Sequence, residues 1–135
     1  MRHSFENTEE NGLNVTLVSF GFKYGVPIDA NLIADMRFLP NPYWIPELNP
    51  LTGLDPEVSS YVRGQERAEE FLDVYEHMID LLTGGFVQED KLYITIGIGC
   101  TGGKHRSVAM SEALHARLVE KGVNTMVVHR DLGRE

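Results

Sequence analysis

At 135 residues, with 42% of them hydrophobic and a net charge of −8, the chain has apolar material for one core and too little length for two ordinary domains. No apolar run approaches the roughly 18–20 residues needed to cross a bilayer, and the acidic balance opposes the extended phosphate contact of a nucleic-acid binder. The single cysteine, Cys100, has no internal disulfide partner, and without metal-ligand spacing of His and Cys we expect neither a metal nor a cofactor.

Residues 1–12, MRHSFENTEENG, are polar and unpatterned, which predicts a flexible arm ahead of one domain over 13–135. They also lack the apolar stretch of a signal peptide, so the expected location is the cytoplasm. Residues 14–20, NVTLVSF, are β-branched and aromatic and read as a first strand ending at GFKYG. LIADMRF at 32–38 reads as a second. LPNPYWIPELNP follows, and its four prolines exclude regular helix or a central strand, leaving a shaped loop. From 64 to 82 the apolar positions Ala68, Phe71, Leu72, Tyr75, Met78, Ile79 and Leu82 keep helical spacing, with acidic residues opposite and TGG at 83–85 as the stop. KLYITIGIG at 91–99 has the near-continuous apolar character of a strand buried on both faces. GKHRSVAMSEALHARLVEKG then reads as a helix, and NTMVVH at 124–129 as the last strand. Strands alternating with helices predict a single α/β domain, a small and mainly parallel sheet flanked by helices.

On that scaffold the stretch GIGCTGGKHRSV at 97–108 falls between the end of a central strand and the start of a helix, where open α/β sheets collect ligands. The first N–H groups of a helix lack intrahelical partners and carry partial positive charge. Gly102 and Gly103 allow a ligand close to the backbone, Lys104 and Arg106 add charge, and Thr101 and Ser107 add hydroxyls. These features fit a phosphate monoester. The nucleotide pattern GxxxxGK[ST] fails twice, because Ile98 stands where glycine is required and His105 where Ser or Thr is required. A second pattern does match: Cys100, five residues, Arg106 and Ser107 form Cys-x5-Arg-Ser, the signature of cysteine-dependent phosphatases, in which a thiolate attacks phosphorus. That chemistry also needs an acid for the leaving oxygen, for which Asp35 and Asp55 are the candidates. Residue types alone leave binder and phosphatase both open, as they leave open a plain turn with solvated cations.

The segments SFGFKYGVPIDA at 19–30, DMRFLPNPYW at 35–44, TGLD at 52–55 and IGCTGGKHRSV at 98–108 resemble, in order, the C-terminal domain of the RNase adapter RapZ family, also known as YvcJ-like nucleotide-binding proteins. The likeness spans roughly 14–130. In that family the domain follows a nucleotide-binding P-loop domain, and the resemblance implies sensing of an amino-sugar phosphate, glucosamine-6-phosphate, rather than catalysis. It further implies a protein partner, self-association and, in enteric members, small-RNA binding. Thr101, Gly102, Gly103, Lys104, His105, Arg106 and Ser107 stand in the family's GCTGGKHRS loop. Lys23, Asp35, Arg37 and Asn41 stand in its FGFKYG and D-x-RFLPNP motifs, where they would hold sugar hydroxyls and an amino group. Asp35 and Arg37 also suit cross-sheet pairing, and Asn41 a turn before Pro42. Enteric members carry histidine where this chain has Tyr43, and a basic tail where it ends HRDLGRE. The resemblance therefore implies that the ligand contact at Tyr43, and with it the ligand's identity, can differ from the enteric members; Tyr43 and Trp44 are candidates for a lid or a subunit contact, with core packing the expected use of Trp44. His77 and His115 read as structural or solvated, while His129 and Arg130 follow the last strand toward the crevice.

Overall fold

The computed structural model describes residues 13–88 and 93–134. The arm expected at 1–12 and the first two positions of the strand expected at 91–99 lie outside these residues. Four strands, β1 (Asn14–Gly21), β2 (Leu32–Asp35), β3 (Tyr93–Cys100) and β4 (Asn124–His129), form one sheet in the order β2-β3-β1-β4. Each of its pairings is parallel, so the carboxyl ends of all four strands share one edge. Three helices, α1 (Pro56–Arg63), α2 (Glu66–Gln88) and α3 (Arg106–Glu120), complete the α/β domain.

Alternation along the strands sorts the two faces. Val15, Leu17, Ile94, Ile96, Ile98 and Cys100 point into a core shared with Val58, Val62, Leu72, Ile79, Met110 and Leu114 of the helices. Burial of this set is the main stabilising term for the fold, at about 1.5–3 kcal/mol for each large aliphatic side chain. The opposite face carries an aromatic loop. There the Phe20 ring lies against Phe22, at a centroid distance of 4.9 Å, beneath the connection that joins β1 to β2. Gly99 leaves the room: a Cβ on it would fall 2.4 Å from the Phe20 ring. Among the described residues the helices pack on one face, and the aromatic loop lies on the other.

Three further boundaries differ from the sequence reading. The helix expected over 64–82 is α2, and a separate helix not expected from the sequence, α1, precedes it; Gly64 closes α1 by donating to Ser60 O at 2.9 Å. The supposed stop at 83–85 lies inside α2, since glycine costs about 1 kcal/mol relative to alanine in a helix but keeps its N–H. The strand expected over 32–38 stops at Asp35, after which Leu39 N donates to Met36 O at 3.2 Å in a turn. The proline loop contains one short 3₁₀ turn, Pro42–Trp44, with Pro42 at its start, where a missing N–H costs nothing. Trp44 is not a core residue; it is 77% exposed, and its ring meets that of Tyr43 edge-on at 4.9 Å. Among the described residues no helix is long and apolar enough to cross a membrane.

Candidate anion site at the carboxyl edge of the sheet

The loop 101–105 leaves the carboxyl end of β3 and feeds α3. Its path is set by close backbone crossings. Gly103 adopts φ +76°, a conformation that disfavours any Cβ, and a Cβ placed there would lie 2.7 Å from Gly21 N. A Cβ on Gly21 would fall 2.5 Å from the carbonyl carbon of Gly102. A third glycine, Gly53, packs against the start of α3 and donates to Lys104 O at 2.9 Å. Lys23 N donates to Thr101 O at 3.2 Å, which fixes the β1 connection to the same loop.

Among the described residues no side chain caps the start of α3. Among the described residues the amides of 102–108 find no backbone or side-chain acceptor. They form a row of donors at the positive end of a fifteen-residue helix. Arg106 lies inside this turn at 5% exposure. One terminal nitrogen donates to Leu39 O at 3.0 Å and Arg37 O at 3.3 Å, and the other to Thr101 Oγ1 at 3.4 Å. Its Nε is buried and has no partner among the described residues. Burial lowers the Arg106 pKa from the usual guanidinium value, against the opposing pull of Cys100 and Asp35.

Lys104 and His105 turn toward the proline loop. Lys104 Nζ donates to the Asn49 carbonyl at 3.0 Å, and His105 Nε2 meets the same oxygen at 3.2 Å. Asn49 in turn donates through its side chain to Tyr43 O at 2.9 Å. Burial, reinforced by the Lys104 charge and only partly offset by the neighbouring carbonyls, holds His105 below its ordinary pKa. Ser107 is fully buried and accepts from Cys100 Sγ at 3.1 Å. Asp35 and Arg37 pair with each other at 2.6 Å, which lowers the Asp35 pKa and raises that of Arg37, and the Arg37 guanidinium lies 4.0 Å from the Phe22 ring centroid. Asn41 Oδ1 accepts from Tyr43 N at 3.1 Å, the turn-capping use its type allows. The Lys23 ammonium is exposed above the Tyr24 ring.

The loop 101–107 and the segments that carry Lys23, Asp35, Arg37, Asn41 and Tyr43 therefore lie around one edge of the sheet, but several side chains already serve the loop itself. His129, the last residue of β4, is engaged by neighbours: it bridges Ser19 Oγ at 2.6 Å and Glu112 at 2.7 Å. His77 is exposed, and His115 is partly buried with Nδ1 unpartnered. Asn49, Gly21, Gly53 and Asp131 were missed. Asn49 acts mainly through its carbonyl, which has no side-chain signature. Asp131 sits in the HRDL tail, where only its position after the last strand pointed to this edge.

A parallel sheet with helices and a glycine-rich strand–loop–helix turn at its carboxyl edge defines a small α/β domain, and free helix-start amides are donors of the kind that suit an anion. The chain belongs to the RapZ C-terminal domain family, whose model matches residues 13–133. It is similar to proteins named nucleotide-binding protein in three actinobacteria. Identity is 59% over 135 residues in Streptomyces coelicolor, 58% over 132 in Frankia alni and 57% over 133 in Rhodococcus erythropolis. These matches cover 100%, 98% and 98% of this chain but 45%, 46% and 44% of those proteins. The chain thus spans less than half the length of these relatives.

Proposed function

We propose that this domain binds an amino-sugar phosphate, glucosamine-6-phosphate or a close relative, as a sensory or adapter module, and that it is not an enzyme. The observation that carries the reading is the uncapped start of α3, where free amides adjoin the unpartnered Nε of Arg106. A phosphate accepts from several such donors at once, and the buried setting strengthens each of them. On this reading Lys23, Tyr43 and the Asp35–Arg37 pair, all exposed, supply polar contacts for the sugar. Membership of the RapZ family supports a link to small-RNA or RNase control of amino-sugar synthesis, with a protein partner and self-association.

The test is thermal unfolding with glucosamine-6-phosphate, glucosamine and ATP as separate additions. The sugar phosphate at about 100 times its dissociation constant adds about 2.7 kcal/mol of stability by mass action, and glucosamine adds far less. Equal shifts from glucosamine and its phosphate would remove the phosphate seat from the proposal. A larger shift from ATP would make a nucleotide the ligand.

A further inference from the structure

Beside the loop the chain has already placed a carboxylate in what chemically is a second anion cradle. Asp131 follows β4 and is fully buried. Its Oδ2 accepts from Gly21 N at 2.8 Å and from the Arg130 fork at 2.8 Å. Its Oδ1 accepts from Arg130 Nε at 2.9 Å and Arg134 at 2.9 Å. One backbone amide, one bidentate guanidinium and a second arginine are the donors a phosphoryl group takes. The cradle adjoins the loop directly, since a Cβ on Gly103 would lie 2.7 Å from Gly21 N and 3.1 Å from Asp131 Cβ.

We infer that Asp131 fills the second anion position of the site and restricts the ligand to a single phosphate. This inference rests on the phosphate-seat reading above and adds its selectivity. Two guanidinium groups around one carboxylate leave a net positive charge, so the neighbouring loop keeps its attraction for an anion. A diphosphate, however, would have to displace a carboxylate held by four N–H contacts. Both arginines have other supports: Arg130 donates to Gly25 O at 2.6 Å and lies over Phe20, and Arg134 lies 4.3 Å from the Tyr24 ring centroid. Removing the carboxylate therefore leaves the cationic walls standing.

The experiment is calorimetric titration of the 135-residue chain with orthophosphate and with pyrophosphate at one ionic strength. Wild type binds orthophosphate at least as tightly as pyrophosphate. Asp131→Ala raises the affinity for pyrophosphate relative to orthophosphate by about tenfold or more, the worth of one charged contact. Adding Arg134→Gln to that variant removes the gain, while Glu70→Gln on α2, which raises the net charge by the same amount away from Asp131, leaves the ratio at the wild-type value; a gain in Glu70→Gln equal to that in Asp131→Ala overturns the inference in favour of a general rise in positive potential. Asp131→Asn keeps an acceptor for Gly21 N–H and replaces Asp131→Ala if the latter does not fold. An unchanged ratio in a folded Asp131 variant, or a tenfold wild-type preference for pyrophosphate, overturns the inference while the phosphate seat stands. Absence of orthophosphate binding in wild type and variants alike overturns both.

Discussion

The guanidinium of Arg106 donates to the carbonyl of Leu39 at 3.0 Å, in the interior and across a separation of 67 residues. The contact joins the start of α3 to the turn after β2, so the residue that reads as a phosphate ligand also holds the crevice together. Arg106→Ala leaves the carbonyls of Arg37 and Leu39 without this donor and opens a cavity, costing about 2–4 kcal/mol. Arg106→Lys has one ammonium in place of a planar fork and loses about half as much. Urea unfolding followed by circular dichroism measures both, and a shift below about 0.5 kcal/mol for Arg106→Ala, the size of an ordinary surface substitution, would show that these contacts carry no stability.

The glycines give the opposite signs at two places. Gly21→Ala forces a Cβ to within 2.5 Å of the Gly102 backbone, which cannot move without moving the loop. We expect a loss of about 1–3 kcal/mol together with weakened phosphate binding. Gly84 lies within α2 with nothing within 4 Å of an added Cβ, so Gly84→Ala stabilises by about 0.5–1 kcal/mol and leaves binding unchanged. Thermal unfolding with and without phosphate distinguishes the two. Equal effects would mean the crossing at Gly21 yields freely.

The strand–loop–helix turn was legible because it is local: apolar β-branched residues, paired glycines and a helix pattern follow one another in the chain. The parallel sheet followed from the alternation of elements. What stayed hidden depends on contacts distant in sequence. Asp55 and Pro56 at the start, Val58 and Val62 one turn apart and Gly64 at the end do mark α1, but a pattern of eight residues is easily passed over, and a helix can absorb Gly84 and Gly85 when other residues carry its packing. The sequence placed Asp35 and Arg37 in one strand and could not show that the strand stops early and lets them pair. Nor could residue types tell that Lys104, His105 and two Arg106 nitrogens are spent on backbone carbonyls and a hydroxyl. Hydrogen-bonding capacity is written in the sequence; its allocation is a property of the fold.

His105 makes stability depend on pH. Its folded pKa lies below the ordinary value of 6.5, so the unfolded chain binds the proton more readily. Its contribution is therefore fully present above about pH 6.5 and is lost as pH falls from there through the folded pKa. Asp35 and Asp131, also held low, lose their contributions only near and below the ordinary carboxylate value of 3.8. The difference between wild type and His105→Gln, followed by urea unfolding from pH 7.5 to 5, shrinks as pH falls. A constant difference would place no titration at His105.

The cationic edge is small and the chain carries a net charge of −8. Two of its other cations are also committed: Arg117 reaches Glu69, Asp73 and Glu76, and Lys121 reaches Asp80 and Glu76. We expect this chain alone to bind structured RNA no more tightly than about micromolar at physiological salt, as nonspecific phosphate contact allows. Nanomolar binding in a salt-series gel shift would contradict this.

The last prediction concerns Cys100, because the Cys-x5-Arg-Ser pattern and its contact to Ser107 at 3.1 Å keep a phosphatase in view. The thiol is 3% exposed and belongs to the core packed by the helices, and the terminal nitrogens of Arg106 already serve two carbonyls and a hydroxyl. A nucleophile needs a thiolate facing the phosphorus, and a buried sulfur that donates to a serine does not offer one. Wild type should therefore hydrolyse an aryl phosphate no faster than a mock preparation. Cys100→Ser should leave phosphate affinity within about twofold, since the loop amides hold the anion, while costing about 1 kcal/mol of stability for a polar group placed in an apolar core. A hydrolysis rate in wild type that Cys100→Ser abolishes, with binding retained, would overturn the sensor reading and make Cys100 the nucleophile.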